Sequence, residues 1–288
     1  MTSVSFLRLP HPDLHCNFQV DDKTKTMLRT RIITALIALP IVIGVTFAGG
    51  IWFFGVVTII ALITGWEFSQ MMKAKGYYVI HAILLAFIAM LMVDAYNPTL
   101  RLLEIGISLT LLCSLVWQLF RTNSSIPTAD WALTVAGGLY IGWGLGRLVA
   151  LRQLPDGLTW VWLALLATWG ADTFAYLVGR TLGRHKLWPR HSPKKTWEGL
   201  GGGILGGLIG TAVVTAISPA LGWADAFILG VIIPIAGLFG DISISMMKRH
   251  VGVKDSSMLF PGHGGFLDRS DSVLFVSIVV YYYAFLIG

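Results

Sequence analysis

The chain alternates between apolar stretches and short polar segments. An apolar run of about 20 residues crosses a bilayer as an α-helix, and nine stretches approach that length. They are Ile32–Ala48, Ile51–Phe68, Val79–Ala95, Leu102–Phe120, Trp131–Ala150, Leu158–Val178, Leu200–Ile217, Ala226–Gly240 and Val273–Ile287. The pattern predicts an all-α polytopic integral membrane protein with about nine transmembrane helices. Several stretches are short for a bilayer, so we expect tilted helices or helices that extend into the loops.

This pattern divides the chain into three parts. Residues 1–31 form a polar N-terminal extension, which lacks the apolar core of a signal peptide. Residues 32–157 hold the first five predicted helices. Residues 158–288 hold helices six to nine together with the most highly charged loops, so we expect the chemistry to lie in this last part.

Charge predicts the orientation in the membrane. With nine helices and the N-terminus in the cytoplasm, 18 of the 21 Lys and Arg lie in cytoplasmic segments, and only Arg101, Arg147 and Arg152 fall outside. The positive-inside rule favours this arrangement. We therefore predict a protein of the bacterial plasma (inner) membrane, with loops 179–199 and 241–272 facing the cytoplasm.

Composition agrees with membrane insertion and argues against nucleic-acid binding. Charged residues make up 12% of the chain, against about 25% in an average soluble domain. The net charge of +6 is not gathered in a basic, aromatic-rich soluble domain. Nucleic acid is therefore not an expected partner.

One predicted loop, residues 241–271, is densely charged although apolar stretches flank it. Its cations suit phosphate binding, and its carboxylates suit a divalent metal that neutralises phosphate charge. The candidate catalytic residues are Lys248, Arg249, Lys254, Asp255, His263 and Arg269. An ordinary anchoring loop would explain Lys248 and Arg249 but not the segment Pro261–Gly265 or the pair Asp268 and Asp271.

Residue spacing in this loop predicts a metal site. Asp268 and Asp271 lie one helical turn apart, and Asp241 follows the eighth stretch directly. Two carboxylates on one face, with Asp241 nearby, suit a Mg²⁺ ion that is also bound by substrate phosphates. If the eighth helix persists, four polar residues share one of its faces. They are Asp241, Ser245, Lys248 and Arg249.

The glycines near the end of this loop give its backbone freedom. Gly264 and Gly265 allow amides to come close to a phosphate. His263 would contact phosphate or move a proton, whereas the alternative is a structural histidine in a turn.

A second loop, Ser192–Glu198, is basic and leads into the seventh stretch. Ser192 or Thr196 can cap a helix there, and helix N-terminal amides attract anions. Lys194 and Lys195 add positive charge. The alternative is a loop that only anchors the chain. The candidate substrate-binding residues are Asp172, Ser192, Lys194, Lys195, Thr196, Glu198, Ser245, Gly264 and Gly265.

Ionisable residues inside apolar stretches are costly and are therefore functional candidates. Asp172 would pair with a lysine of the second loop, or face a polar cavity and contact metal or nucleotide. Glu67 fits a functional position and an interfacial position equally well. Asp94 and Glu104, near the outer boundary, are expected to be solvated.

Two rows of glycine run through the seventh stretch at four-residue spacing. They are Gly199, Gly203 and Gly207, and Gly202, Gly206 and Gly210. Such rows let helix backbones approach closely. Packing within one subunit and packing across a dimer both fit the pattern.

These residues resemble the phosphatidate cytidylyltransferase (CDP-diacylglycerol synthase) family. The matching signature positions are Ser245, Met247, Lys248, Arg249, Lys254, Asp255, Ser257, Phe260, Pro261, His263, Gly264, Gly265, Phe266, Asp268, Arg269 and Asp271. Ser270 departs from the family, which has a hydrophobic residue or threonine there. The similarity is convincing over residues 169–272, and upstream of them it is limited to hydropathy and to Trp66 and Glu67.

The resemblance implies a Mg²⁺-dependent transfer of CMP from CTP to phosphatidate, which gives CDP-diacylglycerol and pyrophosphate in phospholipid biosynthesis. It implies that Asp268, Asp271 and Asp241 bind metal, and that the cations of the charged loop hold the triphosphate or the lipid phosphate. It also suggests a homodimer and a second, monovalent cation such as K⁺.

Two other interpretations of the function remain open. One is a CTP-dependent enzyme for another membrane lipid, of the CDP-archaeol synthase or polyprenol kinase type. The other is a secondary transporter, in which Asp172 and the loop carboxylates would bind coupling ions. The nine-span length favours the phosphatidate enzyme over the first alternative. The clustering of charge at one membrane interface, without a repeat of halves, argues against the second.

Overall fold

The described part of this computed structural model comprises residues 36, 39–122, 125–218, 221–257 and 264–287. Its helices are α1 (Leu39–Ala48), α2 (Gly50–Lys73), α3 (His81–Tyr96), α4 (Leu102–Phe120), α5 (Pro127–Gln153), α6 (Gly157–Thr181), α7 (Trp197–Ile217), α8 (Trp223–Val251) and α9 (Leu267–Ile287). A 3₁₀ turn, Pro98–Leu100, joins α3 to α4. Strands β1 (Lys186–Trp188) and β2 (Ser192–Thr196) lie between α6 and α7 and form an antiparallel ribbon.

The helices match the apolar stretches. Seven of them, α2 and α4–α9, are long and apolar enough to cross a membrane. A helix satisfies its own backbone hydrogen bonds, which lipid cannot do. The predicted all-α polytopic membrane fold is confirmed. The third stretch forms the 16-residue α3, and the first is described mainly through α1. The extension of residues 1–31 lies outside the described residues, and the orientation in the membrane stays a prediction.

Two helices extend beyond the predicted apolar stretches. Helix α8 runs through Pro234 for 29 residues, so the segment from Asp241 to Arg249 is helical, which meets the condition under which its polar residues share one face. Helix α9 begins at Leu267, which places Asp268 and Asp271 near its start. Both extensions bring charged residues to the same end of the bundle.

Glycines hold α7 tightly between its neighbours. A Cβ atom at Gly206 would collide with the Gly170 carbonyl oxygen of α6, and one at Gly207 would collide with the Pro234 ring of α8. Backbones approach this closely only where side chains are absent or small. Of the two interpretations of the glycine rows, these contacts favour packing within one subunit.

Asp94 corrects one prediction. It was expected to be solvated, but it is 8% exposed and accepts a hydrogen bond from the Leu103 amide at 3.0 Å. The expectation was wrong because the first amides of α4 have no partner within their own helix and need an acceptor. Glu104 is exposed, as expected.

Candidate active site

A cleft of about 600 Å³ opens at the end of the bundle where α6 and α8 end and α7 and α9 begin. We call it the charged cleft, because five cations and four carboxylates line it. They are Arg180, Lys186, Lys194, Lys195, Lys248, Asp172, Asp241, Asp268 and Asp271. Small residues of α6 and α7 form much of the remaining wall and leave room for a ligand. Charge of this density in membrane helices marks a functional site.

An ion pair joins the second loop to α8 inside the charged cleft. Lys195 Nζ lies 2.5 Å from Asp241 Oδ2, and the Ser245 hydroxyl donates to Asp241 Oδ1 at 3.3 Å. Burial alone would lower the pKa of Lys195, but Asp241, with Asp172 and Asp271, raises this pKa above its usual value. Lys195 therefore keeps its positive charge near pH 7.

A second ion pair joins α8 to α9. Lys248 Nζ lies 2.5 Å from Asp268 Oδ1, and the two side chains are only 13% and 11% exposed. The other oxygen of Asp268 accepts hydrogen bonds from the amide and the hydroxyl of Ser256, each at 2.9 Å, and from the Gly265 amide at 3.1 Å. Asp268 thus ties the start of α9 to the loop that precedes it.

Asp172, Asp241 and Asp271 line the charged cleft together and come from α6, α8 and α9. Three carboxylates in one apolar bundle repel each other, so a cation between them is favourable. The sequence predicted that Asp172 would pair with a lysine or face a polar cavity. It lines the charged cleft, while Lys195 forms its salt bridge with Asp241.

The β1–β2 ribbon carries Lys186 and Lys194 to the rim of the charged cleft. The Thr196 side chain caps α7 by accepting from the Gly199 amide at 3.1 Å, so one of the two predicted caps is confirmed. Glu198 accepts from His185 Nδ1 at 2.6 Å and from the amide of His185 at 3.2 Å. Glu198 therefore stabilises the residues directly before β1.

Some predicted site residues lie away from the charged cleft. Arg249, Lys254, Asp255 and Arg269 are exposed side chains outside the described lining. The same lining leaves out five other candidates, namely Ser192, Glu198, Ser245, Gly264 and Gly265. His263 lies outside the described residues. The eight predicted residues that the cleft brings together are Asp172, Lys194, Lys195, Thr196, Asp241, Lys248, Asp268 and Asp271.

Sequence reasoning missed three lining residues, Tyr176, Arg180 and Lys186. Tyr176 and Arg180 follow Asp172 by four and eight positions, so helical spacing was a usable signal for both. Their side chains also contact each other, since Arg180 Nη1 lies 2.9 Å from the Tyr176 hydroxyl. Lys186 gave no such signal, because the pairing of its short strand with β2 is not visible in the hydropathy pattern.

The charged cleft suits Mg²⁺ by the chemistry of its donors. Among the described residues no three His, Cys, Asp or Glu side chains converge as a complete metal-binding group. Mg²⁺ does not require one, since it commonly binds one or two carboxylates and completes its shell with water and substrate phosphates. Asp172, Asp241 and Asp271 offer such oxygens beside cations that suit the phosphates. The residues present therefore fit a Mg²⁺ that binds together with a phosphate ligand.

Fold and site together define a class of protein: a polytopic membrane protein with a cleft suited to phosphates and a hard cation. The sequence pattern of the cytidylyltransferase family matches residues 29–287 of this chain. The chain belongs to that family and is a membrane-embedded cytidylyltransferase.

Relatives with 32–37% identity each cover 86% of this chain. It is 37% identical to a phosphatidate cytidylyltransferase of Pseudomonas aeruginosa over 262 residues, which are 86% of this chain and 93% of the relative. It is 36% identical to the phosphatidate cytidylyltransferase of Staphylococcus haemolyticus over 256 residues, which are 86% of this chain and 96% of the relative. The enzyme of that name from Staphylococcus aureus strain COL is 32% identical over 257 residues, with the same coverage.

Proposed function

We propose that this chain transfers CMP from CTP to phosphatidate, giving CDP-diacylglycerol and pyrophosphate in phospholipid biosynthesis. The observation that carries the proposal is the charged cleft, which sets four carboxylates beside five cations within a helix bundle suited to lipid. A lipid substrate can keep its tails in hydrocarbon while its phosphate reaches such a cleft. The names of the relatives agree with this substrate pair.

The cations of the charged cleft fall into two groups, which would bind the phosphates of the two substrates. Lys195 and Lys248 lie deep in the cleft, each paired with a carboxylate. Lys186 and Lys194 lie on the ribbon and make no salt bridge with any described residue, so their ammonium groups are available to a triphosphate. The start of α7 adds backbone amides that attract anions.

The reaction is an in-line substitution at the α-phosphorus of CTP. A phosphate oxygen of phosphatidate forms the new P–O bond while the bond to the pyrophosphate oxygen breaks. A phosphate monoester is mostly dianionic near pH 7, because its second pKa is about 6, so the nucleophile requires no general base. Positioning and charge neutralisation then supply most of the catalysis, as in other phosphoryl-type transfers.

Asp172, Asp241 and Asp271 would hold the Mg²⁺ together with the substrate phosphates, with Asp268 nearby as a fourth carboxylate. When bound, Mg²⁺ supplies positive charge to the triphosphate oxygens and so lowers the repulsion between the two anionic substrates. A second, monovalent cation such as K⁺ and a homodimeric assembly are further proposals, which rest on the family resemblance.

We place the enzyme in the bacterial plasma membrane with the charged cleft facing the cytoplasm, where CTP is made. The support for this orientation is the distribution of Lys and Arg, of which 18 of 21 lie on the predicted inner side.

The test is an assay of purified protein in detergent with CTP, phosphatidate and Mg²⁺. The expected products are CDP-diacylglycerol and pyrophosphate in equal amounts, and none without the divalent ion. If CMP is transferred only to a different lipid, that lipid and not phosphatidate is the substrate. A folded protein that forms no nucleotide-linked lipid but moves a solute across vesicles would overturn the enzyme assignment in favour of a transporter.

A further inference from the structure

Glu67, near the end of α2, is a carboxylate that the proposed reaction does not use. Its exposed fraction is 0%, and it does not line the charged cleft. Its partners come from the loop before α9, about 190–200 positions away along the chain. The Leu267 amide donates to it at 2.8 Å, and the Ser257 hydroxyl donates to it at 2.5 Å.

A buried carboxylate is stable only when its oxygens are hydrogen-bonded. The salt bridges of the described residues do not include Glu67, so its described hydrogen-bond partners are neutral donors. Leu267 is the first residue of α9, and the first amides of a helix lack partners within the helix. The positive end of the helix dipole also favours a negative charge there. Glu67 therefore caps α9 from another helix.

The surrounding loop is built to let Glu67 approach. A Cβ atom at Gly265 would collide with Glu67 Oε2 and with the Ser256 hydroxyl. That hydroxyl lies 3.4 Å from Glu67 Oε2 and 2.9 Å from Asp268 Oδ2. Glu67 and Asp268 thus both contact Ser256 and lie close to Gly265, which explains why glycine occupies position 265.

We infer that Glu67 is a positioning residue for the active site. It fixes the first turn of α9 against α2, so that Asp268 meets Lys248 and Asp271 faces the charged cleft. It acts on the metal-binding carboxylates through the backbone of α9 and not by contact with substrate. This inference deepens the proposed function, and its kinetic part rests on that function.

The variant that tests the inference is Glu67→Gln, which keeps the shape of the side chain. The substitution removes the negative charge at the start of α9, and one oxygen becomes an NH₂ group. If the NH₂ group faces the Leu267 amide, two donors meet; if it faces Ser257, the hydroxyl must turn to accept and no longer donates. Loss of a residue that orients metal ligands typically costs roughly 10–100-fold in metal affinity or activity. We expect a rise of that order in the Mg²⁺ concentration needed for half-maximal rate. We also expect faster hydrogen exchange in residues 264–270.

Asp130→Asn is the matched control. Asp130 is 1% exposed and also holds a loop, because it accepts from the Tyr78 amide at 2.7 Å and from Arg121 Nη1 at 2.9 Å. It does not line the charged cleft. Its substitution should lower the amount of folded protein but leave the Mg²⁺ dependence of the folded enzyme unchanged. Ser257→Ala removes one donor to Glu67 and provides a milder second variant if Glu67→Gln does not fold.

The outcomes separate the two proposals. If the wild type makes no CDP-diacylglycerol, the proposed function fails, and hydrogen exchange still decides the role of Glu67. If the wild type is active and the Glu67→Gln enzyme keeps both its Mg²⁺ dependence and its hydrogen exchange, the positioning role is wrong. An equal Mg²⁺ shift in Asp130→Asn would also overturn it, because the effect would then follow from any loss of a buried carboxylate.

Discussion

Replacing Asp268 with asparagine should destabilise the protein as well as inactivate it. The two oxygens of Asp268 serve four donors: the Lys248 ammonium, the amide and hydroxyl of Ser256, and the Gly265 amide. Asparagine keeps one oxygen and turns the other into an NH₂ donor. Whichever way the side chain is oriented, a donor of the new amide faces a donor of the protein.

The size of the effect follows from burial. Lys248 and Asp268 are 13% and 11% exposed, so the lysine left behind has little water to replace its partner. Removing one partner of a buried ion pair costs about 3–5 kcal/mol. We expect a loss near the lower value, about 3 kcal/mol, because the charged cleft admits some solvent.

The assay compares Asp268→Asn with Asp271→Asn, a matched change one turn further along α9. Asp271 lines the same cleft, but among the described residues its side chain accepts from the Ser272 amide of α9 itself and not from the loop before α9. Asp271→Asn should therefore keep the wild-type Tm in detergent and lose roughly 10²–10³ in rate, about 3–4 kcal/mol of barrier. Asp268→Asn should lower the Tm by several degrees. Equal Tm values for Asp268→Asn and wild type would refute the claim that the hydrogen bonds and ion pair of Asp268 stabilise the start of α9.

Two further predictions concern packing and orientation. Gly206→Ala should lower the Tm, because the new Cβ atom would meet the Gly170 carbonyl oxygen. Gly201→Ala has open space around it and should keep or raise the Tm, since alanine favours a helix over glycine by about 1 kcal/mol. Equal changes in Tm for the two variants would contradict the α6–α7 contact. Cysteines introduced near Lys194 and near Asp225 should react with impermeant reagents from opposite sides of the membrane, and labelling of both from one side would refute the proposed topology.

Local sequence pattern predicted much of the fold. Apolar runs located the helices because a bilayer requires long apolar segments. Spacing indicated that Asp241 and Lys248 share a helix face if the eighth helix continues, and that Asp268 and Asp271 lie one helical turn apart. Asp241, Asp268 and Asp271 were also expected to share one site, and all three line the charged cleft.

Contacts between distant segments could not be predicted in this way. Glu67 meets residues about 190 positions later, and hydropathy carries no information on that pairing. The sequence left open whether Asp172 would pair with a lysine, but it did not identify Asp241 as the partner of Lys195. The β1–β2 ribbon and the burial of Asp94 were missed for a different reason. Both depend on hydrogen bonds between residues no more than ten positions apart, and the hydropathy pattern does not record these bonds.

The central claim is attack on the α-phosphorus of CTP by the phosphate of phosphatidate. The most direct test supplies the purified enzyme with CTP labelled at the α-phosphate in one reaction and at the γ-phosphate in another. We predict that α-label enters the lipid and that γ-label leaves entirely as pyrophosphate. Transfer of γ-label to the lipid would contradict the account, because it would show a kinase that attacks the terminal phosphate.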